Sequence, residues 1–454
     1  MKHRHSWEKQ QQDGAQQQQQ AQLGQQQQEQ QLQVQPGAAA ANGASSSSNG
    51  SGQLPGYLQS FGEDLWAFSR YRGMAVRGTV RAAADVLGGG SAMVSTAAFD
   101  RDDEYLATAG VSKRIRIFEY AAITSSACDG IVYPVLELST RSRLSCVAWS
   151  SYVKAHLASS DHEGVVTLWD ANTGGELVQF EEHSKRAWAV DFSRLEPTRL
   201  VSCSDDATVK LWSVHDEGSL ATLQLHANVC SVQFSPESPH LLACGCANYR
   251  TYLFDMRKTA QPLASVQGHR RAVSYVRWLG GEQLVTASTD NSLKLWSVPA
   301  LAAAGAAPGA GGGETPASAA AAACITTYSG HLNQRNFIGL AVLPGAPGDS
   351  GAPGLGCGAA RGSSSSSRPV GGYIVCGSET NEVYAYHTSM PVPVTAHSFS
   401  WPAGGGGVGM GGCGGAGGVQ QQGDNFVSCV AWNRRQGTIV AGNSAGHIKV
   451  LELV

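Results

Sequence analysis

One internal repeat constrains this chain more than any other feature. Three segments carry it: LVSCSDDATVKLWSV at 200–214, LLACGCANYRTYLFDM at 241–256 and LVTASTDNSLKLWSV at 284–298. Each is an apolar strand, a polar turn with Asp, Asn or Ser, and a second alternating strand that ends on an aromatic residue. Period-two alternation around turn residues predicts antiparallel hairpins. The closing aromatics are Trp169, Trp212, Phe254 and Trp296, at spacings of 43, 42 and 42 residues.

That period is the length of one WD40-type propeller blade. The other intervals, Phe118 to Trp169, Trp296 to Tyr386 and Tyr386 to Leu451, are longer. The last two fall to about one blade each once Gly/Ala/Ser-rich inserts near 302–322, 345–371 and 402–423 are set aside; the first takes a longer loop. The count becomes seven, ending in GTIVAGNSAGHIKVLELV at 437–454. The expected fold is all-β: a seven-bladed WD40 β-propeller over 76–454. The inserts have too little apolar surface for a core, so they are expected as loops. The chain stops after the third strand of the seventh blade, so the missing outer strand must come from the N-terminal side. VRGTVRA at 76–82 alternates correctly and is expected to close the ring, removing an exposed sheet edge.

Residues 1–55 are nearly all Gln, Ala, Ser, Gly and Asn, a composition that cannot offset the entropy of ordering. This Gln-rich segment is expected to be disordered, with 56–75 as a short lead-in. Net charge is −3, and no Lys/Arg block suggests a nucleic-acid arm. MKHRHSWEK runs into Gln rather than an apolar stretch, and no run of 18 apolar residues exists. Neither a signal peptide nor a membrane helix is expected. The 11 cysteines include no C-x-x-C pair, as expected for reduced thiols in the nucleus and cytoplasm.

Phosphate-loop, zincin, zinc-finger, nucleophile-elbow and kinase signatures are absent from the sequence. No catalytic residue, metal site or cofactor is expected, and the chain is read as a non-enzyme. His183 with Asp206 and Trp212, and Gly268-His269 with Asp290 and Trp296, match blade signatures. Their expected role is to hold turns together within a blade.

In a propeller, the loop entering each innermost strand lines the channel mouth. Counting back from the large residue of those strands selects Arg143, Arg186 and Arg271, with Trp188, Phe337 and Phe426 in the same zone. Arginines among aromatics suit a short peptide with an apolar anchor and acidic flanks. A second reading has Arg143 and Arg186 paired to local carboxylates such as Glu181 or Glu182, with Trp188 in the core.

Beyond the repeat, FDRDDEYLATAGVSKRIRIFEY, STRSRLSCVAW, EEHSKRAWAVDFSRLEPTRLVSCSDDATVKLW, AVSYVRWL and CGSETNEVYAYHTSMPVPVTAHSF resemble the C-terminal propeller of the constitutive-photomorphogenesis and SPA (suppressor of phytochrome A) proteins. The likeness runs from Phe68 to Val454 apart from the inserts. VRGTVR, AGVSK, SVQFSPESPHLL and YHTSMPVPVTAHSF lean toward the SPA branch. The resemblance implies a role in a cullin-4-linked ubiquitin ligase that marks light-signalling transcription factors. It implies a face that binds acidic Val-Pro peptides of substrates and photoreceptors. The family's cationic contacts fall on Arg143, Arg186 and Arg271, its hydrophobic contacts on Trp188 and Phe337, with Cys230 nearby. The first and third cations are commonly Lys in the ligase branch; His162 stands where that branch often has Tyr, and Gln334 where it often has Glu.

Residues 227–257 resemble the adaptor-binding box of cullin-4 receptors, ending Phe-Asp-Met-Arg with Asp255 and Arg257 kept. Either Arg257 meets the adaptor or it only braces its own blade. The implied partners are Val-Pro transcription factors and photoreceptors, the cullin-4 adaptor and the RING-bearing photomorphogenesis ligase. A RING, a kinase-like region and a coiled coil of longer relatives are not matched in this sequence. The alternative is a non-degradative scaffold or competitor, like propeller-only repressors of ultraviolet-B signalling.

Overall fold

A computed structural model describes residues 62, 65, 69–80, 93–125, 132–305, 317–344, 372–399 and 425–454. All lie within one compact unit, Pro55–Val454. The Gln-rich segment 1–55 and the inserts at 345–371 and 402–423 lie outside the described residues.

Among the described residues, seven four-stranded antiparallel sheets form the blades of a propeller. In six of them strand order follows the chain, from Val94–Phe99 at the centre of blade one to Thr395–Ser398 at the rim of blade six. Blade seven is composite. Val427–Asn433, Thr438–Asn443 and Ile448–Leu453 come from the end of the chain, and the outer strand is Met74–Val80 from its beginning. The closing strand therefore starts at Met74 rather than Val76. Met74 pairs with Leu453 and is buried, so packing extends the strand beyond what alternation alone marked.

The repeat explains the blade. Second strands such as Arg199–Ser204 are buried almost throughout, because neighbouring blades cover both faces. The turn to the third strand requires a left-handed residue at one position, filled by Ala207 (φ 66°), Tyr249 (φ 70°), Asn291 (φ 65°) or Gly164 (φ 94°). The closing aromatics lock adjacent blades together. Trp212 is fully buried, with its ring 4.7 Å from Phe180 of the preceding blade.

The first insert departs from the expectation of a plain loop. Its flanks form short helices, Val298–Gly305 and Ala317–Ala323, with 306–316 outside the described residues. Leu301, Ala320 and Ala323 are buried beside Ala264 and Trp296. Alanine is the strongest helix former and small enough for close packing, so an Ala-rich stretch supplies core here.

Ring closure is testable at Val80, which is buried and pairs with Ile448. Val80→Asp is expected to destabilise the fold by about 3 kcal/mol, an uncompensated buried charge. Thermal unfolding and limited proteolysis of the first strand report it. A variant as stable and as resistant as the parent contradicts the closing role.

Candidate functional site

The His/Asp sets are internal struts. In blade three the Trp212 indole donates to Ser202 Oγ (2.8 Å), and Ser202 lies 2.7 Å from His183 Nε2. His183 Nδ1 lies 2.9 Å from Asp206 Oδ2. The indole can only donate, so the serine hydroxyl is left to donate to Nε2, and Nδ1–H donates to Asp206. Blade five repeats the chain through Trp296, Thr286, His269 and Asp290. The hydroxyl links, Ser202 and Thr286, were not singled out from sequence; their recurrence ten residues before each tryptophan was the available signal. Burial, the largest influence, lowers the His183 pKa even though Asp206 pulls it up. His183 is neutral and buried, which suits a strut.

The channel mouth is built by a recurring irregularity. Six of the seven inner strands shift register near their start, skipping Ser95, Ser145, Trp188, Cys230, Ser274 and Ser428. A β-bulge turns the skipped side chain away from the ladder. All of these except Ser274 line one cavity of about 410 Å³ at the mouth. Most are small. Trp188 is the exception, so the one large side chain at these six bulges projects into the opening.

Trp188 is held from both sides. Its indole donates to Asp205 Oδ1 at 2.7 Å, and Asn228 donates to the same oxygen at 3.0 Å. The Phe337 ring meets it edge-on, with centroids 4.8 Å apart. The Arg186 guanidinium lies 4.8 Å from the indole ring, and its Nε is 3.8 Å from Asp205 Oδ2. Arg186 thus pairs with Asp205, not Glu181 or Glu182; Glu182 holds Lys210 and Ser219 instead. Arg143 is exposed and has no ion pair among the described residues. Arg271 sits at the rim and donates to the Gln334 carbonyl at 3.2 Å. Cys230 is buried under the slot, and burial pushes its thiol up to about 12, so it presents a neutral, apolar sulfur.

Of the residues selected from sequence, Arg143, Trp188, Cys230, Phe337 and Phe426 line the cavity itself, while Arg186 covers Trp188 from above. Three further contributors were missed. Arg335 and Arg277 add positive charge to the lining. Asp205 orients Trp188 and was hidden as the first half of an Asp-Asp doublet whose second member belongs to the strut. Among the described residues no carboxylate lines this cavity. His162 lies 6.1 Å from Trp188. Burial lowers its pKa, and the charges of Arg186 and Arg143 lower it further.

Asp255 and Arg257 sit on the opposite face, where the third strand of blade four ends. Arg257 forks onto Asp255, with Nη2 2.6 Å from Oδ2 and Nε 3.0 Å from Oδ1. These bonds hold the Asp255 carboxyl down at about 2. Two-thirds of the Arg257 side chain stays exposed (66%), so bracing the blade leaves most of its surface accessible.

The WD domain, G-beta repeat model matches residues 174–213, 218–255 and 260–297. Each match begins in the outer strand of one blade and ends in the third strand of the next. The chain is 43% identical to the protein SUPPRESSOR OF PHYA-105 1 of Arabidopsis thaliana, over 87% of this chain and 34% of that protein. It is 37% identical to the E3 ubiquitin-protein ligase COP1 of Arabidopsis thaliana, over 87% of this chain and 50% of the ligase. The WD repeat-containing protein RUP2 of Arabidopsis thaliana is 30% identical over 79% of this chain and 88% of its own length. The chain spans between a third and a half of the first two relatives.

The arginine field at the mouth is measurable through His162. Its imidazole is expected to titrate below the ordinary value near 6.5. Arg143→Ala with Arg186→Gln is expected to move it upward in an NMR titration. An unmoved resonance contradicts the arrangement.

Proposed function

We propose, for a chain that belongs to the photomorphogenesis and SPA family of WD40 propellers, that its arginine-rimmed mouth receives acidic peptides carrying a Val-Pro anchor. The observation that carries this reading is the Trp188–Phe337 pair beneath arginines, in a cavity that no carboxylate among the described residues lines. The apolar pair fits the slot between the two rings and the Cys230 sulfur. Flanking carboxylates meet Arg143, Arg186 and Arg271, whose planar forks match them in pairs. The source of such peptides is taken to be light-signalling transcription factors and photoreceptors.

On this reading the chain acts by binding rather than catalysis, in the nucleus and cytoplasm, as the receptor part of a cullin-4-linked ubiquitin ligase. One relative is itself an E3 ubiquitin-protein ligase. The RING-bearing photomorphogenesis ligase is a proposed partner, and Asp255 with Arg257 is the proposed contact for the cullin-4 adaptor. A second reading is favoured by the match over most of RUP2: a scaffold or competitor that holds the same peptide without leading to degradation.

Calorimetry with a synthetic acidic Val-Pro peptide tests the mouth. Trp188→Ala and Arg186→Glu are each expected to cost about 2 kcal/mol of binding, as central hot-spot residues do. Unchanged affinity in both contradicts the assignment. Pull-down of the cullin-4 adaptor, with Arg257→Ala as the weakened control, separates the two readings. Peptide binding without adaptor recovery selects the scaffold.

A further inference from the structure

The opposite mouth of the channel opens into a larger cavity of about 760 Å³. Four arginines reach it, Arg101, Arg194, Arg277 and Arg434. They come from blades one, three, five and seven, of which seven and one are neighbours, so the guanidinium groups approach from several sides of the ring. Neither Arg194 nor Arg277 has an ion pair among the described residues. Arg277 lies 5.3 Å from the Tyr275 ring and donates to the Val276 carbonyl.

Four carboxylates line the same cavity, and their bonds decide its character. Asp100 accepts from the Glu104 and Tyr105 amides (2.7 and 2.9 Å). Asp103 accepts from the Arg435 amide (2.9 Å), and Asp191 from the Phe234 amide (2.9 Å). Glu237 accepts from the Gly281 amide at 2.8 Å. Each accepts from backbone N–H groups that fix loops or join neighbouring blades, while Asp100 Oδ2 is buried without a hydrogen bond, 3.9 Å from Lys154 Nζ. Burial, the largest influence, raises Asp191 to about 6 and also raises Asp103. Arg434 is lowered, first by burial and then by the charge of Arg194, which acts more strongly on it than Asp103 or Asp191. Like charges are thus held close together in a recess.

We propose that this mouth binds a compact, soluble polyanion bearing several phosphate groups, gripped by Arg194, Arg277 and Arg434. Guanidinium groups meet phosphate oxygens through paired hydrogen bonds, and several arriving from different blades suit a ligand with phosphates on several sides. A recess of this size admits a small polyphosphate. A ligand spanning three blades also ties them together, so it stabilises the folded ring.

The experiment is calorimetry and thermal unfolding of the whole chain with inorganic tripolyphosphate and inositol hexakisphosphate, alongside vesicles containing phosphatidylinositol phosphates. Saturable binding of the free polyanions with a raised Tm is expected. Arg194→Ala and Arg434→Ala are each expected to weaken it about tenfold, the scale of one charge-assisted hydrogen bond. Trp188→Ala, at the other mouth, is expected to leave it unchanged. Circular dichroism checks that the arginine variants fold; Arg194→Lys keeps the charge and is expected to recover part of the affinity. Absence of binding by the parent chain, equal binding by the arginine variants, or binding of vesicles alone overturns the proposal.

Discussion

Everything at the channel depends on one antiparallel pairing, Met74–Val80 against Ile448–Leu453. Beyond the strands, the Arg72 and Gly73 amides donate to the Val454 carbonyl (2.6 and 3.1 Å), and the Val454 amide donates to the Gly73 carbonyl at 3.0 Å. The two ends of the described fold are thus bonded to each other. Each sequence repeat starts in the outer strand of one blade and finishes in the next, so a linear chain of repeats always leaves one blade short of a strand. Closure supplies it and removes the last exposed edge. The inner strands then pack against one another around the channel, and both mouths acquire fixed walls.

Small side chains join those inner strands. Thr96 Oγ1 accepts from the Val147 amide, Asp191 from Phe234, Ser231 from Val276, and Gln233 from Trp278. Each bond runs from one inner strand to that of the adjacent blade. The bulges at the other end of five of these strands each turn one residue into the mouth. Keeping most of those residues to Ser or Cys leaves room, and a single tryptophan there creates a slot with a defined wall. The two mouths differ in chemistry as a result: one sets arginines around an aromatic pair in a cavity that no carboxylate among the described residues lines, the other is lined by arginines and carboxylates together.

The architecture was readable because its cause is local. Period-two alternation and a turn with one left-handed residue recur in every blade, a closing aromatic recurs in six of the seven, and Trp169, Trp212 and Trp296 carry that signal in their spacing. Arg143 and Arg186 were legible at the mouth because counting back six residues from Trp149 and Phe192 reaches the entry loop, and Trp188 and Phe337 fall in the same zone. Other features depend on distant parts of the chain. Asp205 shares a doublet with the strut residue Asp206, and only folding separates their roles. Arg277 sits within a strand whose alternation marks it as channel-facing, but which mouths it reaches depends on the depth of the channel. The Ala-rich flanks of the first insert read as spacer because alanine carries little apolar surface, and they pack only because blade five offers a surface at close range.

The account turns on Trp188 at its bulge as the floor of a peptide site. A crystal structure of the chain with an acidic Val-Pro peptide tests this most directly. The account predicts the Val-Pro pair against the Trp188 and Phe337 rings, with peptide carboxylates on Arg143 and Arg186. A peptide bound along the outer edge of a blade, or at the other mouth, would contradict it.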